Sequence, residues 1–145
     1  MPETLGDHLA PIRALLPELS ERGVEIEDGR RIPMDLVEKL RRAGCFRMAP
    51  PKSVGGDELQ LPARLEVAEA IAAADASAAW TVAINFEAPI ILSRCTQGAF
   101  DEIYAEGPDV VAAGGAAPTG FADVVDGGYV ASGRWAWGSG SPEAT

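Results

Sequence analysis

The sequence predicts an α+β chain in two unequal parts, helical to about residue 107 and β from residue 108. Three observations carry this. Apolar residues recur every three to four positions through most of the stretch from Leu9 to Tyr104, the helical period. After Gly107-Pro108, valines, aromatics and two-residue alternation replace that period. Within the second part, Asp126-Gly127-Gly128 is a strong hairpin signal, because glycine supplies the positive φ that tight hairpin turns require. The expected domains are residues 1–107, all-helical, and residues 108–145, the start of a β domain.

Taken in order, Leu5 to Arg22 places Leu9, Ile12, Leu15, Leu16 and Leu19 at helical spacing. Pro11 and Pro17 each remove an interior hydrogen bond, so a short or bent helix ending at Gly23 is expected, with a turn at Asp28-Gly29. Pro33 suits a first helical position. Leu36, Val37 and Leu40 then form a stripe, the basic residues Lys39, Arg41 and Arg42 favour the helix C-terminus, and Gly44 stops it. MAPPKSVGGDEL, with paired prolines and paired glycines, reads as an extended loop with a turn. From Pro62 a helix runs through Leu65, Ala68, Ile71 and Ala72. Asp75 or Ser77 caps the next one, and its AAWTVAINF stretch is apolar all round except Asn85, hence expected to lie buried between neighbours. Pro89 kinks or ends it. Thr96 caps a further helix with the face Phe100, Ile103 and Tyr104. Four or five helices are expected in all, with no strand between Leu65 and Ala74.

In the β part, Val110-Val111, Val124-Val125, Tyr129-Val130 and Trp135 with Trp137 are short strand candidates. So few short strands, with few large apolar residues, cannot cover both faces of a sheet. That part is expected to need more chain or a partner.

Composition excludes several classes of function. The chain has 145 residues, 47% of them hydrophobic and 23% charged, which is globular composition. Its formal charge is -10, and all but Arg94 and Arg134 of the twelve basic residues lie at or before Arg64, so neither nucleic acid nor an anionic membrane is an expected partner. Within the most apolar stretch, Val67 to Ser93, the longest run free of charge and strong amides, Ala76 to Ile84, is far below the roughly 20 residues of a membrane span. MPETLGDHLA lacks the basic and apolar regions of a signal peptide. With Cys45 and Cys95 isolated from each other, a reducing cytoplasm is expected.

Hydrolytic and metal centres find no residues. His8 is the single histidine and sits in a terminus expected to be mobile; zinc would need several clustered ligands. No glycine-rich nucleotide motif occurs. The stretch from Pro118 to Ser141 is the chemically suggestive one. Large aromatics beside glycines can form a flat slot for a planar ring, with Ser139 at its polar edge. Equally, Trp135 and Trp137 share a strand face by period 2 and can simply be core.

That stretch, PTGFADVVDGGYVASGRWAWGSGSP, resembles the middle β domain of the acyl-CoA dehydrogenase superfamily. Within it the resemblance is nearest to the oxygenase components of two-component flavin-dependent monooxygenases that hydroxylate aromatic substrates. The carrying residues are Pro118, Gly120 and Ala122; Gly127-Gly128-Tyr129; and Gly133-Arg134-Trp135-Ala136-Trp137-Gly138-Ser139-Gly140. RIPMDLVEKLRRAGCFRMAPPKSVGG resembles the second helix and following loop of these enzymes, and EVAEAIAAADASAAWTVAIN their buried Ala-Asp-x-Ser-x-Ala-Trp helix. The acidic turn of true acyl-CoA dehydrogenases is absent, and PTGFAD stands in its place.

The resemblance implies an acyl-CoA dehydrogenase-like all-helical amino-terminal domain followed by an incomplete middle β-barrel domain. It implies a flavin cofactor, FAD or reduced FMN or FADH2, contacted by Ala117, Pro118 and Thr119 in one turn and by Trp135, Trp137 and Ser139 in the later strand. It further implies a small-molecule aromatic substrate, a flavin reductase as partner and a homotetramer for the full-length protein. The catalytic residue of such enzymes would lie beyond Thr145, so the 145-residue chain is expected to be inactive alone and to hold no stoichiometric flavin. Acyl-CoA oxidation with FAD is the alternative activity, and a non-catalytic fragment or interaction module the alternative class.

Overall fold

The computed structural model describes residues 5–115 and 117–145; residues 1–4, part of the stretch read for a signal peptide, lie outside them. Helix α1 (Leu5–Glu21) runs through both Pro11 and Pro17, so neither proline ends it. An interior proline costs about 3 kcal/mol. Each of Leu9, Ile12 and Leu19 is buried, with Leu15 and Leu16 packed against the same core, and burial of such a side chain contributes about 1.5–3 kcal/mol, so the packed face offsets the lost hydrogen bonds.

Gly23 does not stop the helical path. It opens α2 (Gly23–Gly29), whose Ile26 is buried. The chain turns only at Arg30, which takes the left-handed φ of 50°. Helix α3 (Met34–Arg42) follows as read, with Leu36, Val37 and Leu40 inward and Gly44 at φ 85° behind its end. The Arg22 guanidinium donates to Glu25 and to Asp35, tying α2 to α3. In the proline-glycine loop a single 3-10 turn spans Lys52–Val54. The loop folds back on itself through Asp57 N–H to Arg47 O at 2.9 Å, Glu58 N–H to Pro50 O at 3.1 Å and Leu59 N–H to Met48 O at 2.8 Å.

Next come α4 (Leu61–Ala72), α5 (Ala76–Ile84), α6 (Ala88–Leu92) and α7 (Gln97–Ile103). Asp75 caps α5 by accepting from Ala78 N–H at 2.7 Å, and Thr96 caps α7 by accepting from Ala99 N–H at 3.3 Å. The described residues thus form seven α-helices where four or five were expected. The excess is α2 and α6, short pieces set off at Arg22 and at the turn before Pro89. Helix α5 is also less enclosed than its composition suggests: Ala78, Ala79, Thr81 and Val82 are buried, but Trp80 is 60% exposed.

One core joins these elements. Helix α1 packs against α3 and α4, and α4 against α5. Loop residues Cys45, Phe46 and Met48 and the linker residue Val111 complete it. His8 belongs to this body rather than to a mobile terminus; its Nδ1 lies 3.7 Å from Asp57 Oδ2.

The β part is one antiparallel hairpin, β1 (Gly120–Val125) and β2 (Gly128–Gly133), turning at Gly127 with φ 81°. Register pairs Gly120 with Gly133, Ala122 with Ala131 and Val124 with Tyr129. Val110-Val111 is not a strand. Val111 is a buried peg whose N–H donates to Thr145 Oγ1 and whose carbonyl accepts from Thr145 N–H. Trp135 and Trp137 are not in a strand either: β2 ends at Gly133, and Trp137 has φ 64°, outside the extended region. Among the described residues no third strand lies beside β2 to hold the chain extended, so the expected common face of the two indoles does not form. No helix among the described residues is long and apolar enough to cross a membrane.

Candidate functional site

The six residues singled out from sequence fall into two places. Ala117, Pro118, Thr119 and Trp135 gather at the foot of the hairpin. Thr119 Oγ donates to Arg134 O at 2.8 Å, and Thr119 N–H to Ala117 O at 2.8 Å, which sets the turn entering β1. The Trp135 indole lies across the Gly120–Gly133 pair. A Cβ on Gly120 would stand 2.2 Å from Trp135 Cζ2, and one on Gly133 2.9 Å from its Cη2. Those glycines therefore serve to let an aromatic ring rest on the backbone. Trp137 stands apart, 90% exposed.

Ser139 is in the second place. It lines an open cleft of about 990 Å³ between α2, the start of α5 and residues 138–143. Val24, Glu27, Arg30, Arg31, Asp75 and Trp80 face the same space. Trp80 Nε1–H donates to Ser139 Oγ at 3.1 Å. Neither Trp135 nor Trp137 lines this cleft.

Trp80 is the functional candidate that sequence reasoning passed over. Its signal was available: an indole N–H on an otherwise apolar helix needs a partner, and such residues favour borders between apolar and wet surroundings. The pairing has a chemical consequence. A hydroxyl that accepts from Trp80 keeps its own proton to donate elsewhere, so Ser139 can present a donor to an acceptor in the cleft. Among the described residues no cluster of His, Cys, Asp and Glu could hold a metal ion.

The family model described as acyl-CoA dehydrogenase, N-terminal domain, matches residues 13–98. The chain belongs to the acyl-CoA dehydrogenase family. Within that family its relatives include the flavin-dependent monooxygenase oxygenase subunit HsaA of Rhodococcus jostii (strain RHA1), 37% identical over 91% of this chain and 35% of the relative. The indole-3-acetate monooxygenase of Acinetobacter baumannii is 34% identical over 92% of this chain and 35% of that protein. Among solved structures, XiaF from Streptomyces sp. in complex with FADH2 and glycerol superposes with a TM-score of 0.86 at 25% identity, over 92% of this chain and 34% of that one. The acyl-CoA dehydrogenase-like helical domain and the start of a β domain, expected from the motifs, are thus what the chain contains. The chain spans about a third of the length of the curated relatives it matches.

Proposed function

We propose that this chain is the amino-terminal portion of the oxygenase component of a two-component flavin-dependent monooxygenase that hydroxylates a small aromatic substrate. The observation that carries it is the alignment with oxygenase subunits over nine-tenths of the chain, hairpin included. The departure of PTGFAD from the acidic dehydrogenase turn favours hydroxylation over acyl-CoA oxidation. Residues 1–107 then act as the helical domain and residues 108–145 as the beginning of the middle domain. A flavin reductase supplies reduced flavin, FADH2 or reduced FMN, the full-length protein is a homotetramer, and it works in the cytoplasm, in keeping with its two free cysteines.

Each of the two places offers groups that suit a flavin. In the cleft, Ser139 has a proton to donate to the polar edge of the ring; at the foot of the hairpin, Ala117, Pro118 and Thr119 form an exposed turn. The Trp137 indole is bare. Trp135 supports that turn from below. When bound, reduced flavin supplies the electrons that let one oxygen atom of O2 enter the substrate while the other leaves as water. This chain's part is to bind and orient the ring and to exclude water from one side of it.

The test is flavin affinity by titration in a protein of the relatives' length carrying this chain. Ser139→Ala is expected to weaken binding about fivefold or somewhat more, the loss of one neutral hydrogen bond of about 1 kcal/mol. Trp135→Ala and Trp137→Ala, made separately, are expected to lower the coupling of reduced flavin to product. The 145-residue chain alone is expected to retain no stoichiometric flavin after dialysis. Wild-type affinity and coupling in all three variants would reduce the segment to ordinary packing.

A further inference from the structure

Residues 138–145 return from the hairpin and lie along the helical body. Glu143 is the unusual member of this strap: a carboxylate only 2% exposed. Its Oε1 accepts the backbone N–H of Ile32 at 2.9 Å, across 111 residues of sequence. Ile32 sits in the link between α2 and α3, where no helix or strand partner serves that N–H. Next to it the Arg31 guanidinium donates to Pro142 O at 3.2 Å. Between Glu143 and the hairpin the strap makes a tight turn, with Glu143 N–H to Gly140 O at 3.0 Å and Ser141 N–H to Gly138 O at 3.1 Å. Gly140, buried and with φ 79°, seats this turn on α5, where a Cβ would meet Ile84 Cδ1 at 3.4 Å and Thr81 Cγ2 at 3.7 Å. Ser139 therefore immediately precedes two fixed points, the seat of Gly140 and the anchor of Glu143.

We infer that Glu143 is a positioning residue: by accepting from Ile32 it fixes the strap so that the Ser139 hydroxyl meets Trp80 at the mouth of the cleft. A buried carboxylate is costly unless its oxygens are engaged, and its use in place of an apolar residue gives the strap one register. An apolar side chain fits a range of offsets, whereas an acceptor for a single N–H fits one. The meaning of this for catalysis rests on the reading of Ser139 as a flavin-facing residue; the geometry does not.

The experiment reads the Trp80 indole N–H in the 15N-labelled 145-residue chain, with Trp80→Phe identifying its resonance. Ser139→Ala gives the signature of the unpaired indole. Glu143→Ala is expected to move the Trp80 signal toward that signature and to cut its hydrogen-exchange protection about fivefold to thirtyfold, the effect of losing one to two hydrogen bonds' worth of order. Glu143→Gln keeps a carbonyl oxygen for Ile32 and is expected to restore the wild-type signal. Should Glu143→Ala fail to fold, Gly140→Ala decides, since an alanine at its left-handed φ of 79° strains the same turn beside Ser139 and must shift the same resonance. An unchanged Trp80 signal in Glu143→Ala, or in Gly140→Ala, overturns the inference, as does a Gln variant no better than the Ala variant. The readout contains no flavin, so its failure leaves the flavin reading standing, and a failure to bind flavin leaves this result standing.

Discussion

Gly56 offers a sharp test of the packing described for the proline-glycine loop. It is buried, and a Cβ placed on it would stand 2.1 Å from Pro50 O, 2.5 Å from Pro50 C and 2.8 Å from Pro50 Cβ. Ordinary carbon contacts lie at about 3.5–4.0 Å, so Gly56→Ala must push the backbone of Pro50 away by about 1 Å. No side chain can yield, because the obstacle is main chain. Forcing extra atoms into a packed site costs about 1–3 kcal/mol. Pro50 O also accepts from Glu58 N–H, and displacing it forfeits about 1 kcal/mol more. The expected loss is about 2–4 kcal/mol, a large share of the roughly 5–15 kcal/mol that holds a domain folded. With a urea slope of about 2 kcal/mol/M, the unfolding midpoint should fall by about 1–2 M at unchanged slope. Gly98→Ala is the matched comparison. Gly98 lies inside α7 with nothing within 4 Å of its would-be Cβ, so alanine there should raise stability by about 0.4–1 kcal/mol. A Gly56→Ala midpoint within about 0.2 M of wild type would refute the loop geometry.

Three further outcomes are expected. Burial first, and the charge of Asp109 second, push the Cys45 thiol up to about 12 from an ordinary 9.0. The unfolded chain therefore gives up this proton before the native one does, and urea midpoints should fall as pH rises from 9.0 toward about 12. Cys45→Ala should lose part of that slope, the buried Tyr104 hydroxyl, also pushed up by burial, keeping some of it, and equal slopes would refute the assignment. Arg47 engages Asp109 through Nε to Oδ1 at 3.0 Å and through Nη2 to Oδ2, with the side chains 42% and 17% exposed. A double-mutant cycle on the pair should give a coupling of about 0.5–1 kcal/mol that shrinks in high salt. Gly120→Ala should lift Trp135 off the hairpin and shift its fluorescence to the red, whereas Gly114→Ala, with open space around it, should leave the spectrum unchanged.

Where chemistry is local, the sequence was readable. Asp75 and Thr96 cap α5 and α7 because a short oxygen side chain before a helix has few better uses. Asp126-Gly127-Gly128 made its hairpin because the turn needs a positive φ. What was missed depends on distant partners. The strap reaches back to the backbone N–H of Ile32, and no local signal announces a bond across 111 residues. Trp135 looked like the next residue of an alternating strand; the Gly120–Gly133 gap that takes its ring lies on two strands at once. Ser139 was singled out as a polar residue among aromatics, and its indole partner proved to be Trp80, not Trp135 or Trp137. Pro11 and Pro17 misled because local cost was weighed without the tertiary face that offsets it.

The long reach of Glu143 also bears on how the protein is born. A ribosome adds about 5–20 residues each second, so the Ile32 N–H waits about 6–22 seconds for the 111 residues that separate it from its acceptor. Helices α1, α3 and α4 can associate meanwhile, since their contacts are nearer in sequence and close faster. During that interval the nascent helical body is complete in its core but open along the groove that the strap will fill. Within these residues synthesis itself thus orders the steps: body first, hairpin next, and then the Glu143 anchor that ties the strap to Ile32.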